Sequence, residues 1–264
     1  PPMSEKKKPG FETLAKASLA TQEQMLAVKK EKNSFVIGLP KEISLQENRI
    51  TLTPDAVALL VNNGHDVWVE TKAGVASKFS DQQYSEAGAK IVYSPQEVYK
   101  ASFILKIEPP TVDEIEYMHP GQTLISAIQM GHLKPEVLQA MMKKKITALA
   151  YEFIEDKVGS MPIIRAMSEI AGSTVLLIAS EYLSTANNGK GVILGGITGV
   201  PPTRVVIIGA GTVAEFAARA ALGLGAEVQI FDNHLYKLRK IKHILGQQIY
   251  TSTIDTITLS ETLK

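Results

Sequence analysis

The sequence predicts an α/β protein of two doubly wound parallel-sheet domains, the second incomplete at its C-terminal end. Three observations carry that reading. From Phe35 onward, short β-branched apolar runs alternate with helix-length segments, the pattern of βαβ units. At Arg204 an apolar strand runs straight into a glycine-rich turn, a helix and a second strand. The length, 264 residues, corresponds to about two domains at roughly 150 residues each.

Residues 1–34 form an N-terminal extension. Glu5 to Pro9 is charged, and Phe11, Leu14, Ala15, Met25, Leu26 and Val28 recur at loosely helical spacing. Short amphipathic helices and an unstructured tail fit that segment equally. Residues 35–163 make the first domain. Its strands are expected at Phe35–Gly38, Asp66–Glu70, Lys90–Tyr93, Phe103–Ile107, Thr123–Ile128 and Ile146–Tyr151. Helices fall between them at Pro54–Asn63, Asp81–Ala87, Ser94–Ala101 and Lys134–Lys143. Thr53 suits a helix cap, Pro54 a first helical turn and Gly64 a helix stop. Residues 164–264 make the second domain. It opens on one long helix, Ile164 to Ala186, followed by a glycine-rich stretch to Pro201-Pro202 that suits an interdomain connection or a small hairpin.

Composition narrows the function. Hydrophobic residues are 45% and charged residues 21%, enough apolar material for a folded core. No unbroken run of 18 apolar residues occurs, so no membrane span is expected. Cysteine is absent, which excludes a disulfide framework, a thiolate zinc site and a cysteine nucleophile, and suits a reducing, cytoplasmic setting. No metal is expected. The 28 basic and 27 acidic residues leave a net charge of +1, so a nucleic-acid partner is not expected. No apolar core follows Lys6-Lys7-Lys8 to make a signal peptide.

The unit from Arg204 is a dinucleotide fingerprint. Arg204 to Ile208 is a strand, Gly209-Ala210-Gly211-Thr212-Val213-Ala214 the turn, and Glu215 to Gly223 a helix. Glu227 to Phe231 is the second strand, ended by Asp232. The order of the parts makes the signal specific. Gly209 permits the tight turn, Gly211 lets backbone approach a pyrophosphate, and Ala214 keeps helix and strand close. The first N–H groups of the helix, including those at Thr212 and Val213, then face the phosphates. Asp232 can accept both adenosine-ribose hydroxyls and repels a 2′-phosphate, which favours NAD over NADP. Lys237 lies one turn into the next helix, toward the adenosine end. The bland alternative is a tightened turn in which Asp232 caps that helix.

Three segments together resemble one family. Gly38-Leu39-Pro40-Lys41-Glu42 with Glu47-Asn48-Arg49-Ile50-Thr51-Leu52-Thr53-Pro54 is similar to the opening of alanine dehydrogenases and of transhydrogenase alpha subunits. Met167-Ser168-Glu169-Ile170-Ala171-Gly172 and Gly195-Gly196-Ile197-Thr198-Gly199-Val200-Pro201 complete the set. The resemblance implies two Rossmann-like domains, a homo-oligomer, NAD as cofactor and a small amino acid or 2-oxo acid as substrate. The implied reaction oxidises L-alanine to pyruvate and ammonia. By the same resemblance Arg49 binds the substrate carboxylate and Ser168 the cofactor phosphates.

Three departures accompany it. The family's strand-end run of two lysines becomes Lys106-Ile107-Glu108-Pro109-Pro110 here, with Glu108 at the catalytic lysine. Lys106, one step back, is the remaining candidate for catalysis and substrate binding, and strand alternation points it the same way as Glu108. Gln129 stands at the family's acid/base histidine, with His132 three residues on; glutamine cannot exchange a proton near neutral pH. The sequence stops partway through the cofactor domain, so a fragment, inactive in isolation, is expected. Two alternatives follow: the NAD-binding alpha subunit of a proton-translocating transhydrogenase, or a non-catalytic nucleotide-binding relative.

Overall fold

The computed structural model describes residues 34–263; the helices expected in residues 1–33 lie outside them. The chain forms two compact units divided between Tyr151 and Glu152.

The first unit is built on six parallel strands: β1 (Val36–Leu39), β2 (Asp66–Glu70), β3 (Lys90–Val92), β4 (Phe103–Leu105), β5 (Thr123–Ser126) and β6 (Thr147–Ala150). Their order is β3-β2-β1-β4-β5-β6. Alternation along each strand sends apolar side chains to both faces, as a doubly covered sheet requires. Ile37, Leu39, Val67 and Val69 pack with Val57 and Tyr84, which belong to α1 (Pro54–Asn62) and α2 (Asp81–Glu86). Ile104 and Leu124 pack with Val98, Ile115, Val137 and Met141. These belong to α3 (Pro95–Val98), α4 (Val112–Tyr117) and α5 (Pro135–Lys143).

The helix signals act as expected where local chemistry specifies them. Thr53 Oγ1 accepts from the Ala56 N–H, with Pro54 opening α1. Gly64 takes a φ of 90°, a left-handed value that stops the helix without a Cβ clash. Helix α4 was not expected, although Thr111 and Glu114 form a complete capping box at its start. Its six residues hold too few apolar positions for a periodic signal.

The strand order reverses direction between β1 and β4. Chain segments leaving those two strands diverge, opening a crevice at their carboxyl ends where ligands bind in such sheets. The candidate site occupies that crevice.

The second unit contains α6 (Pro162–Leu183), β7 (Arg204–Ile208), α7 (Thr212–Gly223), β8 (Glu227–Phe231), α8 (Leu235–Leu245), β9 (Tyr250–Ser252) and α9 (Thr256–Thr262). Strands β7, β8 and β9 form a small parallel sheet in that order. Its core joins Val228 and Ile230 to Leu176 of α6, to Ala214, Ala217, Ala218 and Ala221 of α7, and to Leu238 and Ile241 of α8. The glycine-rich stretch expected to connect domains lies inside this unit instead. Gly196 N–H donates to Leu224 O, and Thr203 Oγ1 accepts from the Gly195 N–H. One isolated bridge, Ile197 with Val200, stands where a small hairpin was an option.

Helix α6 has the length and mean hydropathy of a membrane span. It packs onto α7 through Gly172, where a Cβ would stand 2.5 Å from Val213 O and 2.7 Å from Phe216 Cβ. Gly172→Ala therefore forces two helices apart. Overpacking costs about 1–3 kcal/mol, against up to about 1 kcal/mol of helix propensity gained. The expected result is a lower urea midpoint, and an unchanged or higher midpoint would refute this close packing.

Candidate functional site

Two sets of residues carry the chemistry, one in each unit. The first lies at the carboxyl ends of β1 and β4. The loop after β1 supplies Glu42, Glu47 and Arg49; the segment after β4 supplies Lys106 and Glu108.

Lys106 is 1% exposed. Its Nζ lies 2.9 Å from Glu42 Oε2 and 2.9 Å from Glu114 Oε1. Glu42 Oε1 also accepts from the Ile107 N–H at 2.6 Å, tying the β1 loop to the end of β4. Glu114 accepts from the Tyr99 hydroxyl at 2.9 Å and from the Thr111 N–H at 2.8 Å. Burial alone lowers the Lys106 ammonium, but Glu114 and Glu42 raise it further than burial lowers it. The lysine is thus a charged tie beneath the site, and in this conformation it does not reach the crevice as a substrate contact. Glu108 does not share its direction. β4 ends at Leu105, so strand alternation no longer governs the two side chains.

Glu108 turns instead toward Arg49, with Oε1 3.8 Å from Nη2. Arg49 is half exposed and grips Glu47 through Nε at 2.8 Å and Nη2 at 2.6 Å. Those hydrogen bonds hold the Glu47 carboxyl down at about 2. Glu108 moves the other way. Burial raises it first, its hydrogen bond and charge contact with Glu47 raise it further, and Arg49 opposes them.

Gln129 follows β5 in a left-handed conformation, φ 49°, rare for a residue with a Cβ. Its carbonyl accepts from the His132 and Leu133 N–H groups. Gln129, His132 and Lys134 line a cavity of about 290 Å³ with Pro109, Pro110 and Val112. Gln129 and Glu108 therefore sit on neighbouring segments at the same end of the sheet.

The second set surrounds the glycine turn. Gly209 has a φ of 101°. The space where its Cβ and that of Gly211 would lie is open. Helix α7 begins at Thr212 with no side-chain cap, so its first N–H groups are left for a ligand. Ser168 shares a cavity of about 630 Å³ with Gly209, Gly211, Thr212, Val213 and Ala214. Asp232 is buried beside the turn. Its Oδ2 accepts from the Ala210 N–H at 2.8 Å and its Oδ1 from the His234 N–H at 2.7 Å. Those bonds, His234 first, hold its carboxyl below the usual range. Asp232 thus makes the cap-like contact and also keeps a charged carboxylate at the end of β8. Lys237 lines a separate cavity of about 440 Å³ with Gly211, Thr212, Lys240 and Arg165. Arg165 had not been singled out in the sequence. These residues fit a dinucleotide: open backbone at the turn, uncapped N–H groups and an ionised acid at the second strand.

Two family descriptions cover this architecture. "Alanine dehydrogenase/PNT, N-terminal domain" matches residues 38–171 and "Alanine dehydrogenase/PNT, C-terminal domain" matches residues 175–264. The chain belongs to the alanine dehydrogenase/PNT family. Within that family it is 38% identical over 227 residues to alanine dehydrogenase of Bacillus subtilis (strain 168), covering 86% of this chain and 60% of that protein. A solved L-alanine dehydrogenase superposes with a TM-score of 0.76 at 36% identity, covering 86% of this chain and 63% of that one. A transhydrogenase from Sinorhizobium meliloti superposes with a TM-score of 0.71 at 25% identity, covering 86% and 66%. The chain thus spans less than two thirds of the length of these family members.

Three residues of the first set escaped sequence reasoning: Glu42, Glu47 and Glu114. Glu42 and Glu47 were visible only as parts of the opening motif. Glu114 had a signal of its own in Thr111-Val112-Asp113-Glu114.

Proposed function

We propose that the full-length protein is an NAD-dependent alanine dehydrogenase, oxidising L-alanine to pyruvate and ammonia. One observation carries the reading. A half-exposed arginine, Arg49, stands at the switch point of the first sheet with its fork turned to carboxylates. That is the group needed to hold an amino acid by its carboxylate. Glu47 occupies the fork in the free protein, so a substrate carboxylate displaces it or shares the guanidinium.

NAD supplies the hydride acceptor. Gly209, Gly211, Thr212, Val213 and Ala214 hold its pyrophosphate by backbone, and Ser168 adds a hydroxyl. Asp232 takes the adenosine ribose, with Lys237 near that end. Lys106 acts from beneath, fixing Glu42 and so the loop that carries Arg49. Gln129 orients substrate by hydrogen bonds. A cytoplasmic homo-oligomer is the setting this reading favours.

Absorbance of NADH tests it, with L-alanine and NAD in one direction and pyruvate, ammonia and NADH in the other. Turnover in both supports the proposal. NAD binding without turnover favours the second reading, a transhydrogenase component, for which Gln129 in place of a proton-exchanging histidine is the supporting observation.

Asp232→Ala is expected to weaken NAD binding by about 10–100-fold, the loss of charge-assisted hydrogen bonds at about 1.5–3 kcal/mol. It should also narrow the preference for NAD over NADP. Calorimetry with each nucleotide measures both, and an unchanged NAD affinity would remove Asp232 from the cofactor site.

A further inference from the structure

We propose that Glu108, set beside the Glu47–Arg49 pair at the mouth of the first sheet's switch point, is the residue that carries protons at the substrate nitrogen and the attacking water. The inference rests on the amino-acid dehydrogenase reading and fills a gap in it. Once the amine is oxidised, the imine must be hydrolysed, and that needs a group that takes and returns protons. Gln129 cannot. Lys106 is sealed beneath the surface between two carboxylates. Asp232 belongs to the nucleotide turn.

Glu108 has the placement. Its side chain is 30% exposed, whereas that of Glu47 is 7% exposed. It therefore meets the crevice while its neighbour lies in the wall. Arg49 reaches both, so a substrate carboxylate held at Arg49 brings its α-nitrogen near Glu108.

The surroundings split the two carboxyls. Glu47 is held ionised by the Arg49 hydrogen bonds. Glu108 is raised by burial, by Glu47 and by the charge of Glu42, and lowered by Arg49. Tyr151, beyond β6, acts on the same guanidinium, and His132 and Lys134 line the adjoining cavity beside Pro109. Two neighbouring acids pushed apart in this way are the usual mark of an assigned acid and base.

The protons then balance. Water adds to the C=N carbon of the iminium, a C–O bond forms, and the Glu108 carboxylate takes one water proton. Glu108 returns that proton to the nitrogen. The C–N bond breaks, ammonia leaves, and the hydroxyl proton passes to Glu108 as the ketone forms. Glu108 finally yields that proton to the departing ammonia, so iminium and water become pyruvate and ammonium.

The test uses the full-length enzyme. Glu108→Gln should lower kcat by about 10²–10⁴-fold, the range for lost acid–base catalysis, and abolish the acidic limb of the kcat/KM profile. Its NAD affinity by calorimetry should stay within about twofold. Glu108→Asp should restore part of the rate with that limb displaced. Infrared difference spectra across pH should show a protonated carboxyl that persists above the ordinary glutamate range. Glu108→Gln should remove this band and Glu47→Gln should shift its titration downward. A wild-type rate in Glu108→Gln, survival of the acidic limb, or its loss in His132→Gln overturns the inference alone. A wild-type enzyme that binds NAD but never turns over L-alanine overturns the dehydrogenase reading and this role together.

Discussion

Lys106→Met is expected to destabilise the first unit by about 3–5 kcal/mol, the range for removing one partner of a buried ion pair. Lys106 has two such partners. Glu42 and Glu114 each keep only 6% of their side-chain surface exposed, and without the ammonium their charges repel across a dry interior. The folded value of Lys106 is raised, so its contribution is complete below the ordinary lysine value and fades only as pH climbs past it through the raised folded value. Lys106 thus keeps its charge across the whole pH 5–8 range. In a domain of this size the melting temperature should fall by about 6–20 °C. Urea midpoints of the variant and the wild type measure the effect. A loss below about 1 kcal/mol would show that Lys106 is not a buried tie between Glu42 and Glu114.

That tie also shows what the sequence conceals. Strands β7 and β8 occupy the residues expected for them, because parallel strands are short β-branched runs bounded by turn residues. The glycine turn was equally readable, each residue having a local task. Helix α4 and strand β9 are too short to display a period. The site divides in the same way. Arg49, Glu108 and Gln129 stood out because a motif surrounded them. Lys106 also stood out, but as a catalytic and substrate-binding residue. Its partners Glu42 and Glu114 come from other elements, and Glu42 is 64 residues away in sequence. Spacing cannot reveal that three charges will meet underneath a loop. Strand alternation misled for a related reason, since it assumed β4 continued through Glu108. The chain leaves the strand after Leu105, and the two side chains part: one inward to the tie, one outward to Arg49.

Arg49→Ala should strike the substrate and spare the cofactor. A bidentate guanidinium–carboxylate pair contains two charge-assisted hydrogen bonds, each about 1.5–3 kcal/mol. Discounting for the half exposure of Arg49, about 3–4 kcal/mol is at stake, a drop of about 10²–10³-fold in kcat/KM for L-alanine. NAD affinity should change by less than about twofold, because the nucleotide turn belongs to the other unit. A second consequence separates this variant from a simple loss of binding. Arg49 is what keeps Glu47 ionised at about 2. Without it Glu47 rises toward the ordinary glutamate range and competes with Glu108 for one proton. The acidic limb of the rate profile should then broaden as well as the KM increase. Arg49→Lys restores a positive charge but not the fork, so it should recover the sharp limb while leaving most of the KM defect. Steady-state kinetics across pH on both variants, with calorimetry for NAD, distinguishes these outcomes. Equal losses in amino-acid and NAD affinity would mean that Arg49 supports the fold, and would remove it from the substrate carboxylate.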